Sequence, residues 1–242
     1  MSSAPSRVVG WGSTRTDLDQ LSGLHRELAA LSKVSSFLIY GQPSFSNYLN
    51  SVVDSPDHAF TRLAGRGGER TLCHLRVFGG VTFLNNIYLA PELRGEGRGS
   101  LLLAESVRQL GASPFSVMEL DAFESNVQAI AWYRRLGFRE VGSTLWNWFK
   151  VPAGSTTSTE IVMSPDESGF VQIYVDQLRI GTRLDRHAVL TTTEFVKLLG
   201  SDHFDDLVVR SGENTFSAEG TLLETSVRLR ATSSTFLKEL HH

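Results

Sequence analysis

The stretch Asn86 to Leu110, NIYLAPELRGEGRGSLLLAESVRQL, restricts what this chain can fold into more than any other. Ile87, Tyr88 and Leu89 are strand formers, and Pro91 ends the strand because it has no N–H to give to a ladder. Arg94-Gly95-Glu96-Gly97-Arg98-Gly99 then sets a glycine at every second position. Leu103, Val107 and Leu110 lay an apolar stripe along a following helix, which Gly111 can close. The spacing predicts strand, tight turn, helix. Such a turn suits an anion. Glycine reaches left-handed torsions and lets a ligand approach the backbone. The free N–H groups of the first helical turn converge on one spot, where the helix dipole adds partial positive charge. Arg94 and Arg98 can add formal charge. A phosphate or pyrophosphate is the natural guest.

Two common phosphate motifs do not fit. A Walker loop needs Gly-Lys-Ser/Thr, and the chain has no lysine between Lys33 and Lys150. A dinucleotide fingerprint needs G-x-G-x-x-G, whereas the glycines here fall as G-x-G-x-G. The pattern Arg94-x-x-Gly97-x-Gly99, after a strand ending Leu89-x-Pro91, resembles the acetyl-CoA-binding motif of the GNAT N-acetyltransferase superfamily. The plain alternative is a glycine-rich surface turn. A second block, MELDAFESNVQAIAWYRRLGFREVG from Met118, is similar to the family's next one: a strand, Asn126, then a helix with Ala129 and Tyr133 closed by Gly137-Phe138.

The resemblance covers about residues 1–164, and most strongly 81–164. It implies an α/β (α+β) chain with a GNAT fold, a central mixed, mostly antiparallel sheet flanked by helices. It also implies acetyl-CoA as co-substrate. The backbone of Ile87, Tyr88 and Leu89 would meet the pantetheine arm and thioester. The N–H groups of Gly95, Glu96, Gly97, Arg98, Gly99 and Ser100 would take the pyrophosphate, with Arg94 nearby. Asn126 would hydrogen-bond the pantetheine region, or simply cap its helix. Tyr133 would protonate the leaving thiolate, or simply pack as a core aromatic. Asp121 stands where some members carry a catalytic glutamate, one methylene shorter, which suggests a water relay. Glu119 shares its strand face and is the reserve base, with Glu124 behind it. Each carboxylate could equally be solvated or salt-bridged.

The rest of the chain reads in order. Arg7–Trp11 suggests a short strand, and Asp17–Lys33 a helix by its leucine period. A second helix begins near the N-cap candidate Ser44. Strands are expected over His58–Leu63, Thr71–Phe78 and Val81–Leu89, with a turn at Gly65–Gly68. Phe115–Ala122 is a strand, Val127–Leu136 a helix and Phe138–Lys150 an aromatic-rich strand. Residues 153–158 read as a polar hairpin loop. Glu160–Met163 looks like the last strand of the family's sheet, and Ser164–Gly169 like a linker. This divides the chain into 1–165, the acetyltransferase domain, and 166–242, a small β-rich accessory domain. In the latter, Phe170–Val175 and Leu178–Thr182 form a hairpin around Asp176-Gln177. A short helix follows Thr191 or Thr192, and strands are expected at Leu207–Arg210, Asn214–Ser217 and Leu222–Ala231.

Trp146 and Trp148 share a strand face and, with Trp132, either line an acceptor site or belong to the core. Cys73, the only cysteine, excludes an intrachain disulfide and reads as a small buried hydrophobe rather than a nucleophile. His203, Asp205 and Asp206 read as a polar loop, and no metal is expected. A formal net charge of −3 argues against a nucleic-acid partner. No stretch reads as a signal peptide or membrane span, so a cytoplasmic setting is expected. The leading expectation is an N-acetyltransferase moving acetyl to a primary amine by direct attack in a ternary complex. A silent acyl-CoA-binding sensor is the alternative, and an acetylase of aminoacyl-tRNA the third reading. The accessory domain would serve homodimerisation, a partner protein or one wall of the acceptor cleft.

Overall fold

The computed structural model describes residues 7–65, 70–110, 116–151, 160–199, 204–212 and 220–240. The chain opens with β1 (Val8–Gly10) and α1 (Arg15–Ala29). Leu18, Leu21 and Leu24 bury one face of α1, and the Thr14 hydroxyl accepts from the Asp17 amide at its start. The helix ends earlier than its leucine period suggests, and Leu31 is exposed. Two short 3₁₀ turns, Ser35–Phe37 and Ile39–Gly41, lead to α2 (Phe45–Val52). Ser44 does not cap α2 with its side chain. Its hydroxyl donates instead to the Gly169 carbonyl at 2.8 Å, tying α2 to the second half of the chain.

Five strands and two helices follow. β2 (His58–Leu63), β3 (Thr71–Phe78) and β4 (Val81–Leu89) form an antiparallel meander. Then come α3 (Arg98–Gln109), β5 (Val117–Phe123), α4 (Val127–Arg135) and β6 (Arg139–Lys150). Gly137 closes α4 in the left-handed region at φ +84°, as a glycine there should.

The second half adds β7 (Ile161–Pro165), β8 (Val171–Val175), β9 (Leu178–Leu184), β10 (His187–Leu190), β11 (Asp206–Gly212), β12 (Thr221–Thr232) and α5 (Ser233–Leu240). The β8–β9 turn is made by Asp176 and Gln177, both at positive φ, as a two-residue hairpin requires. The predicted short helix is a 3₁₀ segment, Thr193–Leu198. Gly65 lies at a turn as expected, but residues 66–69 fall outside the described residues. So do Gly111, residues 153–158, His203 and Asn214–Ser217.

Among the described residues, twelve strands form one sheet in the order β1-β2-β3-β4-β5-β12-β6-β11-β10-β9-β8-β7. This order corrects one expectation. Ile161–Pro165 is the far edge strand, not a strand of the N-terminal half's sheet. That place is taken by β12, which pairs antiparallel with β5 on one side and β6 on the other. The boundary expected at residue 165 therefore falls at the end of an edge strand, while the last strand returns into the first half. α5 follows it there. Phe236 is fully buried in the core shared by α3, α4, β3, β5 and β12, with its ring 5.7 Å from that of Phe138. Burying one such phenylalanine contributes about 2–3 kcal/mol.

Two layers cover the N-terminal sheet. α3, α4 and α5 lie over Cys73, Leu75, Leu84, Met118 and Leu120. On the opposite face, α1 and α2 cover Phe60, Leu72 and Tyr88. The 3₁₀ turns after α1 extend this second layer, setting Phe37 and Leu38 against Trp146 and Val208.

Candidate active site

The site begins where two strands part. β4 and β5 pair in parallel from Val81↔Val117 to Leu84↔Leu120 and no further. The other edge of β4 stays paired with β3 as far as Leu89. The divergence has a local cause. Leu75 faces Leu84 and His74 faces Asn86, so Asn85 is an extra residue in β4. A bulge bends its strand and increases its twist. From Asn85 to Leu89 the β5-facing edge of β4 has no strand partner among the described residues. Its N–H and C=O groups are available to an extended, amide-bearing ligand. Ile87, Tyr88 and Leu89 lie on this edge.

The glycine turn stands at the end of the same strand. Gly95, Glu96 and Gly97 take φ of +91°, +53° and +73°, three left-handed residues in succession. Gly97 is the N-cap of α3. The Arg98 amide bonds to the Gly95 carbonyl, and the Leu101 amide to that of Gly97. The amides of Gly99 and Ser100 have no backbone acceptor among the described residues, as expected of a first helical turn. The Trp132 ring fixes the wall: a Cβ on Gly99 would lie 3.5 Å from it, and its indole N–H donates to Ser100 Oγ at 3.3 Å. Trp132 thus belongs to the helix side of the sheet, away from Trp146 and Trp148. Arg94 Nε donates to the Leu89 carbonyl at 2.9 Å, holding the turn against the strand end. Arg98 pairs with Glu96 at 3.3 Å. Backbone amides and two arginines can hold a pyrophosphate here.

Asn126 caps α4, its side-chain oxygen accepting from the Ala129 amide at 3.2 Å, which leaves its NH₂ free to donate. Tyr133 is buried, its ring 4.9 Å from Trp132 and 5.7 Å from Phe138. Burial pushes its phenol above the ordinary tyrosine value, with nearby Cys73 adding to the shift. No protein group takes its hydroxyl proton among the described residues. Cys73 is fully buried with its thiol pushed up to about 12 by burial, which fits a core residue and not a nucleophile.

The carboxylates face the other way. Glu119, Asp121 and Phe123 alternate with the core residues Met118, Leu120 and Ala122, so they point toward the α1/α2 layer. β12 sets an arginine opposite each: Arg228 faces Asp121 and Arg230 faces Glu119. Arg228 grips Asp121 through Nε and, at 2.8 Å, through Nη2. Its Nη1 reaches Glu119 at 3.1 Å. Arg230 holds the other Glu119 oxygen at 2.7 Å. The guanidinium–carboxylate contacts raise the pKa of Arg228. Both carboxylates are thus committed to charged donors. Glu124 continues the chain past this ladder, its amide donating to Thr225 O at 2.8 Å.

Three groups at this face escaped the sequence reading. His25, on α1, donates through Nδ1 to the Leu21 carbonyl at 2.7 Å, and burial lowers its pKa to about 4. His58 and His74 share a 2.9 Å hydrogen bond, and Asn85 of the bulge reaches the same His74 nitrogen at 3.3 Å. Burial holds His74 well below the usual histidine range. Tyr40 bonds to Asn86 at 3.0 Å. The only available signal was the polar residue at alternate strand positions, since these residues meet from four separate elements. Asp205 pairs with Arg186, and Asp206 accepts from Trp148 Nε1 at 2.7 Å. Among the described residues, no group of histidine, cysteine, aspartate and glutamate could hold a metal.

The parallel strands of a mixed sheet thus part beside an amide-lined helix start. Residues 48–138 match the profile of the Acetyltransferase (GNAT) family, so the chain carries a GNAT acetyltransferase domain. Among solved structures, a provisionally named acetyltransferase from Pyrococcus horikoshii superposes with a TM-score of 0.64 at 10% identity, covering 98% of this chain and 92% of that one. This likeness of fold extends over both halves. A phosphinothricin acetyltransferase from Sinorhizobium meliloti in complex with acetyl-CoA gives a TM-score of 0.48 at 20% identity, covering 59% of this chain and 79% of its own. The PaiA N-acetyltransferase from Thermoplasma acidophilum in complex with coenzyme A gives 0.48 at 16%, covering 57% and 92%. No protein of curated function matches the sequence.

Proposed function

We propose that this protein is an acetyl-CoA-dependent N-acetyltransferase that acetylates a primary amine by direct attack in a ternary complex. The observation that carries this reading is the divergence of β4 from β5 directly before the glycine turn. The open edge of Asn85–Leu89 suits the pantetheine amides. The amides of Gly99 and Ser100, with Arg94 and Arg98, suit the pyrophosphate. Bound acetyl-CoA supplies the activated acyl group. Tyr133 has an uncommitted hydroxyl proton for the departing thiolate. The acceptor amine enters from the α1/α2 face, where Glu119 and Asp121 sit. Their arginine partners leave them to orient the amine electrostatically, with deprotonation through water.

One set of observations favours a second reading, a silent acyl-CoA-binding module. Both candidate bases are ion-paired, and Tyr133 is a weaker acid than a free phenol. The test is release of coenzyme A thiol from acetyl-CoA over a panel of amines, with wild type and Tyr133→Phe. The enzyme reading expects turnover on one acceptor class, and a fall in kcat of about 100-fold in the variant with coenzyme affinity preserved. Coenzyme binding without turnover on any amine would select the second reading.

A further inference from the structure

Acetylating a primary amine that arrives as an ammonium ion releases two protons. One replaces the acyl group on the coenzyme thiol, the task given above to Tyr133. The other must leave the α1/α2 face for solvent. The carboxylates on this face of β5 and β12 are already taken. Glu119 and Asp121 are held by Arg228 and Arg230. Glu224 accepts from Ser125 Oγ at 2.7 Å with one oxygen and from the Thr225 amide at 3.2 Å with the other. The bulge offers another route. Its extra residue brings Asn85 and Asn86 together against His74 on β3. His74 is buried, and Phe60 stacks on it with ring centres 3.9 Å apart, which fixes its plane. Its Nε2 lies 2.9 Å from Nδ1 of His58, the first residue of β2, and His58 is only half-buried. One hydrogen thus sits between two ring nitrogens. The pair has an inner end one strand spacing from β4, about 5 Å, and an outer end at the surface.

The surroundings keep the pair ready to accept and quick to release. Burial, then His25 of α1, His58 and the Arg76 guanidinium hold His74 well below the usual histidine range, against a hydrogen bond from Asn86. Burial and Arg76 lower His58, and Asp57 opposes them. The phenols nearest the string, Tyr40 on Asn86 and Tyr48 of α2, are raised by burial and stay neutral. Both imidazoles are therefore neutral at pH 7, with a lone pair to offer. Arg76, directly opposite His58, repels a proton once it has arrived and so favours its passage to water.

Resting on the acetyltransferase reading above, we propose that His74 and His58 carry the second proton of the acceptor amine from the β4 bulge to solvent, with Asn85 holding His74 in place. In that step an N–H bond of the ammonium adduct breaks and, through one water, an N–H bond forms on His74. The hydrogen between the rings shifts to His58, and His58 gives up an N–H proton to bulk water. One proton enters the pair and one leaves it.

The experiment measures kcat and KM from pH 5 to 8.5, with a primary amine that the wild type acetylates, on wild type, His58→Ala and His58→Gln. Coenzyme A affinity by calorimetry checks that each variant is folded. Wild-type kcat should fall as the pH drops below about 6.5, because the pair must be neutral to accept. His58→Ala should lower kcat by about 100-fold with KM and coenzyme affinity unchanged, and should lose that acid limb. Added imidazole should restore its turnover, more so as the pH rises and the imidazole becomes neutral. His58→Gln keeps a hydrogen-bonding side chain but cannot pass a proton, so it should be as slow as His58→Ala; a merely structural role would leave it near wild type. His58→Gln within threefold of wild type, or a slow His58→Ala that imidazole does not restore, would overturn the relay while leaving the acetyltransferase reading intact. If the wild type acetylates no amine, that reading fails, and the relay fails with it.

Discussion

Gly97 offers a direct test of the phosphate turn. Its φ of +73° is left-handed, and a Cβ built on it would meet nothing within 4 Å. Gly97→Ala therefore adds strain and no clash. An L-residue in that region costs about 1–2 kcal/mol relative to glycine. Because the turn is exposed, the ligand-free variant can relax out of the left-handed region. The strain then appears when a ligand requires the turn to re-form, as a loss of coenzyme affinity of about 5- to 30-fold, with little change in melting temperature. Glu96 gives a control of opposite sign. It holds a φ of +53° with a side chain, and its carboxylate occupies Arg98 at 3.3 Å. Glu96→Gly removes both costs, so coenzyme A should bind more tightly, by about threefold. Isothermal titration calorimetry with coenzyme A on the three proteins measures both. If Gly97→Ala binds within twofold of wild type, or if the two variants shift in the same direction, the turn does not cradle the pyrophosphate.

The buried histidines predict acid sensitivity. His25 has a pKa near 4 in the folded protein against 6.5 for the ordinary side chain, so the unfolded chain binds more protons between those values. Stability should fall as the pH drops below 6.5 and go on falling to about 4, by about 3 kcal/mol from this group alone. Urea denaturation from pH 7.5 to 4.5 should show a shallower fall for His25→Leu than for wild type. An equal slope in both would remove His25 as a cause. Ending the chain after residue 165 should abolish cooperative folding, because β12 is lost from between β5 and β6. A sharp thermal transition together with coenzyme A binding in that fragment would show that β12 is dispensable.

Local signals explain what was legible in the sequence. The boundaries of β2, β3 and β4 follow alternation bounded by glycine and proline, and those signals act within a few residues. Gly97, Gly137 and the Asp176-Gln177 turn were legible because positive φ selects for small or turn-forming residues. The position of β12 was not legible. Thr221–Thr232 alternates like any antiparallel strand, and nothing in its own pattern says which edges it will join. That choice is made by β5 and β6, a hundred residues earlier. Ser44 misled for a related reason. It has the chemistry of an N-cap, but a distant carbonyl, that of Gly169, took its hydroxyl. The histidine string stayed hidden because each residue alone is an ordinary polar side chain, and only the fold brings them to one face.

That sheet order also couples stability to chemistry. Glu119 and Asp121 are two residues apart on one strand face, so their carboxylates lie about 7 Å apart. Two carboxylates that close on one face repel each other. Arg228 and Arg230 remove that repulsion, and they reach it only because β12 pairs with β5 in the register Arg228↔Asp121 and Arg230↔Glu119. The strand that completes the hydrogen-bonding of β5 is thus the strand that sets the charge of this face. A slip of one residue would turn both arginines into the core occupied by Val227, Leu229 and Ala231, so the register that buries those apolar residues also fixes the ion pairs. The second half of the chain thus contributes directly to this face of the first. It supplies the arginine ladder through β12, while the first half supplies the paired carboxylates and the glycine turn.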